Sequence, residues 1–321
     1  MPRIVEPTPQ TIEAAAATLR AGGVVAFPTE TVYGLGADTF SPRGLDRVYE
    51  LKQRPADNPL IAHVLGPPGA QRLTSGWDTR CEVLTQRFWP GPLTLVLPRA
   101  LSVPARATAG RPSVAIRCPR HPIARDLIDA LGDPISAPSA NRSGHVSATS
   151  AGDVADEFAD VERLMVLDGG PCAVGLESTV LDLTRPEPRI LRPGSVTRME
   201  LLALLGPVRA EPVERQEASP GTSSRHYAPN TPAELVTAEQ LAARLRDASE
   251  PAVVLCFDRR QVPPPHTAIE MPQGAGDYAK QLYASLRRAD AMKRVVILIE
   301  QPPGSNDVWL AILDRLRRAT A

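Results

Sequence analysis

Short apolar runs bounded by proline, glycine or small polar residues set the rhythm of the chain. Such runs at 24–27, 60–64, 93–97, 113–118, 135–137, 164–167, 178–183 and 190–192 predict strands. Apolar positions three and four apart predict helices near 79–88, 121–131, 150–158 and 197–205. Thr8-Pro9, an alanine-rich stretch and then Gly22-Gly23 give another helix its start and stop. Ser41-Pro42 opens a further helix that carries Tyr49, Lys52 and Arg54 toward its end. Strands and helices interleave without the strict alternation of a βαβ repeat, which points to a mixed α/β sheet.

From 206 to 232 the pattern collapses into Pro, Glu, Arg, Ser and Gly, the composition of a linker. Beyond it, strands are expected at 234–236, 252–257, 268–271 and 295–300, and helices at 238–247, 275–290 and 307–318. That is a small Rossmann-like α/β unit. The expected division is therefore 1–205, a linker at 206–232, and 233–321.

Composition removes several function classes. The chain has 321 residues, 43% hydrophobic and 22% charged, enough for a sizeable core. Its 36 basic and 36 acidic residues cancel, which argues against stable nucleic-acid binding as its main business. Cys81, Cys118, Cys172 and Cys256 are scattered singly, with no zinc-ligand spacing to the five histidines. No long apolar run suggests a membrane span, and the first residues lack the apolar core of a secretion signal, so a cytoplasmic protein is expected. A P-loop, a complete dinucleotide fingerprint, H-E-x-x-H and a nucleophile elbow are all absent.

Four stretches carry candidate chemistry. Pro28-Thr29-Glu30-Thr31 through Asp38 follows a strand with hydrogen-bonding side chains and then two glycines that let backbone approach a ligand. Lys52-Gln53-Arg54 places two cations near a helix end, where a triphosphate could be held. Residues 1–200 contain twenty arginines and one lysine, Lys52, so an ammonium at this position stands out. Ser136 to Gly144 is a strand, a proline and a cluster of small polar groups. Arg117 interrupts a buried-looking strand and must pair with an internal carboxylate or with an anionic ligand.

Together these features resemble the YrdC/YwlC-type threonylcarbamoyl-AMP synthases. The resemblance rests on Lys52-Gln53-Arg54 with Ser139-Ala140-Asn141, on Pro28 to Leu35, Arg54 to Leu60 and Trp89 to Thr94, and on Glu177 to Asp182. Ser219-Pro220-Gly221 and His226-Tyr227-Ala228-Pro229 are similar to the linker of the family's long, two-domain members. One departure is Asp314-Arg315, where those members carry asparagine and arginine; it bears on the second unit and not on the synthase site.

The resemblance implies a twisted open mixed sheet around a concave cavity, and synthesis of threonylcarbamoyl-adenylate from L-threonine, bicarbonate and ATP. The product serves threonylcarbamoyladenosine formation in tRNAs that read codons beginning with A, through a downstream tRNA threonylcarbamoyltransferase. Thr31, His63, Arg117, Ser139 and Ser178 would line the threonine site. Arg54, Asn58, Ser113, Ala137, Ser147, Arg192 and Tyr227 would contact ATP. Lys52 and Asn141 would face the phosphates, with Mg²⁺ accompanying them, and Lys52 and Arg54 would neutralise leaving-group charge. No protein metal ligands are implied. The His226 to Pro229 patch would fold over the nucleotide as a lid. Two other classes fit parts of the pattern, an RNA-binding or ribosome-maturation protein and a carbamoyl-transfer module; the zero net charge speaks against the first. Against the second stands the lack of acylphosphatase-like and zinc-finger segments.

Overall fold

Capping residues start the helices where the sequence signals them. In the computed structural model, which describes residues 1–209, 226–248, 250–302, 304 and 306–321, Thr8 and Thr11 form a capping box that opens α1 (Pro9–Arg20). It lies between β1 (Arg3–Val5) and the hairpin of β2 (Val25–Phe27) and β3 (Gly34–Asp38). Ser41 caps α2 (Pro42–Lys52), which stops at Gln53 in the left-handed conformation, φ 52°. Then come β4 (Ile61–His63), α3 (Pro67–Gln71), α4 (Thr79–Phe88), β5 (Leu93–Pro98), β6 (Ser113–Arg117) and α5 (Pro122–Leu131). The first part closes with β7 (Ile135–Ala137), α6 (Ala151–Glu157), β8 (Met165–Leu167), β9 (Thr179–Asp182), β10 (Arg189–Arg192) and α7 (Arg198–Leu205).

These ten strands form one mixed sheet in the order β1-β8-β2-β3-β7-β4-β6-β5-β9-β10. α1 and α5 cover one face, burying Ile12, Ala16, Leu19, Leu127 and Ile128 against Val25, Phe27 and Ile135. A larger cluster, with Leu45 and Val48 of α2, Leu84 of α4 and Val154 of α6, covers the other. Two strands and one short helix escape the sequence pattern. β1 is three residues paired in parallel with β8, far along the chain. β3 was expected as a ligand loop because of its glycines, yet it is an interior strand. A Cβ at Gly36 would lie 2.6 Å from both the Phe27 ring and Ile135, so only glycine lets the hairpin close under that ring. The third is α3.

The C-terminal part contains β11 (Ala233–Val236), α8 (Ala238–Asp247), β12 (Val253–Cys256), β13 (Thr267–Glu270), α9 (Ala275–Ala291), β14 (Ile297–Glu300) and α10 (Asp307–Ala319). Its four strands are parallel, ordered β11-β14-β12-β13. Gly175, at φ 75°, lets the loop before β9 press on the backbone of α9; a Cβ there would sit 2.5 Å from Lys280 Cα. Ser219-Pro220-Gly221 lie outside the described residues. Among the described residues no helix is long and apolar enough to cross a membrane.

Candidate active site

The ends of β2, β4, β6, β7, β9 and β10 meet around one pocket. After β2 the chain turns at Pro28, and Thr29 Oγ1 donates to the Val32 carbonyl at 2.7 Å while lying 2.9 Å from Thr31 Oγ1. His63, the last residue of β4, has Nδ1 3.2 Å from the Ile135 carbonyl. A carbonyl only accepts, so Nδ1 carries the proton and Nε2 is left as an acceptor. Burial, with Arg117 adding to it, pushes this imidazole down to about 3, so it is neutral. Ser178 at the start of β9 lies 2.7 Å from Thr94 Oγ1 and accepts from Arg192 Nη2 at 3.1 Å.

Arg117 ends β6 almost fully buried, and the internal partner is present. Its Nη2 lies 2.8 Å from Glu30 Oε1, its Nη1 donates to Thr31 Oγ1 at 2.7 Å, and its Nε to the Gly91 carbonyl at 3.4 Å. The Nη2–Oε1 contact is close but off line, since neither atom makes an aligned hydrogen bond. Burial alone would raise the Glu30 carboxyl; Arg117 overrides that and holds it below its ordinary value.

The two cations expected side by side part company. The left-handed Gln53 turns the chain between them, so that Lys52 runs inward and Arg54 runs on to the pocket. Lys52 is fully buried, and its Nζ donates to the carbonyls of Ser139 at 3.0 Å and Asn141 at 2.6 Å. Ser139 Oγ and Asn141 Oδ1 each lie at 3.3 Å. Lys52 and Asn141 therefore grip each other beneath the loop after β7 and do not line the pocket. Burial, then Arg54, pushes the Lys52 ammonium well below its ordinary value. Arg54 is anchored to the Asn58 carbonyl at 2.9 Å and Oδ1 at 2.6 Å and does line the pocket; burial pushes it down to about 10.

The roof comes from the linker and from the C-terminal part. Tyr227 sits at φ 63°, an unfavourable conformation for a bulky residue, which its surroundings hold in place. Its ring stacks on Tyr283 of α9 at 5.6 Å, meets His226 edge-on at 4.1 Å, and lies under the Arg315 guanidinium at 5.5 Å. Arg315 of α10 pairs with Glu177 Oε2 at 3.1 Å, and Tyr283 donates to the same oxygen at 2.9 Å. Ser147 donates to Glu177 Oε1 at 2.7 Å. Burial would raise the Glu177 carboxyl, but Arg315, Arg192 and Ser147 together hold it at about 2. Arg315, the member of that pair shared with the long forms, reaches the pocket's carboxylate, while the departing Asp314 pairs with Arg315 and Arg318 within α10.

Thr31, His63, Arg117, Ser139 and Ser178 all line this pocket, with Arg54, Ala137, Arg192 and Tyr227. Asn58, Ser113 and Ser147 do not line it; Asn58 and Ser147 stand behind it, bonded to Arg54 and Glu177. Ser113 is half-buried at the far end of β6 from Arg117. Thr29 and Glu177, which belong to the motifs but were given no site role, also line the pocket, as does His226 of the expected lid. Free volume is only about 40 Å³, little more than one water's share of about 30 Å³.

A family model described as "Telomere recombination" (Sua5/YciO/YrdC) matches residues 17–194, and one described as "Threonylcarbamoyl-AMP synthase, C-terminal domain" matches 196–321. The chain is 38% identical to a threonylcarbamoyl-AMP synthase of Pyrococcus abyssi, over 96% of this chain and 94% of that one. It is also 38% identical to one of Bacillus subtilis, over 96% and 92%. The solved structure of P. abyssi Sua5 complexed with L-threonine superposes with a TM-score of 0.92 at 36% identity, covering 100% of this chain and 97% of that one.

Proposed function

The chain belongs to the threonylcarbamoyl-AMP synthase family, and from that premise we propose how its own residues divide the work. The observation that carries the reading is the one pocket that brings Thr31, His63, Arg117, Ser139 and Ser178 together with Arg54, Arg192 and Tyr227. The first group suits an amino acid with a hydroxyl side chain. Arg117 faces the carboxylate, and neutral His63 accepts from the side-chain OH. The second group suits a nucleotide: Arg54 and Arg192 meet phosphate charge, and the Tyr227 ring closes over it.

The reaction balances without a covalent nucleophile. Threonine's amine loses a proton and its nitrogen bonds to the carbon of carbon dioxide, or of bicarbonate with loss of water, giving a carbamate. A carbamate oxygen attacks the α-phosphorus of ATP, and the bond to the bridging oxygen breaks to release pyrophosphate. Positioning and charge neutralisation supply the acceleration. Arg54 takes the leaving-group role; Lys52 acts beneath it by fixing the Ser139–Asn141 loop.

Among the described pocket residues no carboxylate is free to hold magnesium. Glu177 is the carboxylate among the described pocket residues, and both its oxygens are taken. A magnesium ion arriving with ATP would be coordinated by phosphate oxygens and water.

Residues 1–205 form the catalytic domain in this reading, 206–232 a linker whose His226–Tyr227 step is the lid, and 233–321 the domain that supports the lid. The product is a mixed carbamic–phosphoric anhydride, so a roof over it protects it from water until a tRNA threonylcarbamoyltransferase consumes it. Mass spectrometry of products formed from labelled bicarbonate and labelled threonine tests the assignment. Both labels should enter one adenylate with one pyrophosphate released; ATP hydrolysis alone would refute it.

A further inference from the structure

Arg117 lines the pocket, and its Nη2 lies against Glu30. Glu30 does not line the pocket, yet it is the counter-ion of a side chain that does. The carboxylate is itself tightly fixed. Its Oε2 accepts the Arg120 backbone N–H at 3.0 Å, and the Glu30 carbonyl accepts from Val174 N at 2.7 Å. Thr31, the next residue on the same turn, takes Nη1. The register of one short turn therefore sets the plane of the guanidinium.

The off-line contact is the telling detail. A guanidinium Nη carries two N–H groups. Glu30 Oε1, at 2.8 Å, balances the guanidinium charge through proximity more than through alignment. Glu30 thus keeps a buried cation neutralised, where an isolated one would be costly. We propose that Glu30 is a positioning residue for the amino-acid substrate, holding Arg117 so that its guanidinium meets the substrate carboxylate. This deepens, and rests on, the threonine reading of the pocket.

Calorimetric titration of threonine and of ATP into the full chain tests it with Glu30→Gln, which keeps shape and removes charge. Threonine affinity should weaken by about tenfold or more, the scale of coupling between contacting residues, and ATP affinity should stay within about twofold. Because Glu30 acts through Arg117, combining it with Arg117→Lys should weaken threonine binding by less than the product of the two separate losses. A merely structural role would lower both affinities together. Unchanged threonine affinity in folded Glu30→Gln, or fully multiplicative losses in the double variant, would overturn the proposal. If the Gln variant does not fold, Glu30→Asp keeps the charge and withdraws it by one methylene; wild-type threonine affinity there would equally overturn it. Wild-type chain that binds threonine but makes no adenylate refutes the functional reading and leaves Glu30 to be judged on binding; chain that binds no threonine overturns both.

Discussion

Replacing Lys52 by methionine separates two roles for the buried ammonium. Methionine keeps the length and apolar stem and removes the donors, leaving the Ser139 and Asn141 carbonyls without the N–H groups they accept now. Hydrogen bonds to a charged group contribute about 1.5–3 kcal/mol each, so two amount to about 3–6 kcal/mol. Against this, the variant no longer holds an ammonium away from water, which returns several kcal/mol. A net destabilisation of about 1–3 kcal/mol is expected. At about 2–4 °C per kcal/mol for a chain of this size, melting should fall by about 2–12 °C. Ser139 sits on the pocket wall, so threonine affinity should fall as its loop loosens. Lys52→Arg should not rescue either quantity, because a planar fork does not fit a site built around one nitrogen. Scanning calorimetry with threonine titration on the same sample measures both. Wild-type melting and threonine affinity with pyrophosphate release abolished would refute this reasoning and show that the ammonium serves the phosphates.

Acidification should destabilise the protein well before its carboxylates titrate. His63 and His226 are both pushed down to about 3 by burial first, then by Arg117 and Lys52 respectively. Above the ordinary value of about 6.5 neither state binds the proton, so there is no penalty; below it the unfolded chain binds protons that the folded chain refuses, and stability falls by up to about 1.4 kcal/mol per pH unit for each histidine. Denaturant titration at several pH values should show this slope, and a flat profile would refute the burial argument. Tyr227→Ala should raise the ratio of AMP to adenylate product by opening the roof, as product chromatography would read; an unchanged ratio would make the strap a passive tether. Valine should be disfavoured against threonine by on the order of 10⁴-fold in kcat/KM, because it leaves the acceptor of His63 unpaired; a ratio near ten would place the hydroxyl elsewhere.

The sequence pattern was informative where one element carried its own signal. The strands at 93–98 and 113–117, and helices such as 79–88, announce themselves by short apolar runs and by caps. Legibility failed where pairing decided the structure. Three residues at 3–5 become a strand only because 165–167 lies beside them, and Gly34–Asp38 becomes one because a phenylalanine ring needs the room. The same division holds at the pocket. Short motifs pointed to Arg54, Arg117 and Ser178, but a motif does not say which way a side chain turns. The left-handed Gln53 separates Lys52 from Arg54, and no spacing rule reports that. Nor could local reading assign Tyr283 and Arg315, which arrive from more than a hundred residues beyond Glu177. Asp314-Arg315 was visible as an oddity of the last helix, without any sign of what it touched.

The sealed position of Lys52 has a chemical consequence for the surface. An enzyme that releases a mixed carbamic–phosphoric anhydride works beside a reagent that carbamoylates amines. Lys52 is the sole lysine before Lys280, and it is fully buried with its nitrogen engaged by four oxygens. Every other side-chain cation in that stretch of sequence, histidine aside, is a guanidinium, which stays protonated and is a poor nucleophile. The half of the chain that surrounds the product therefore offers it no free lysine amine, and stray product would be left to mark Lys280 and Lys293 on and just beyond α9.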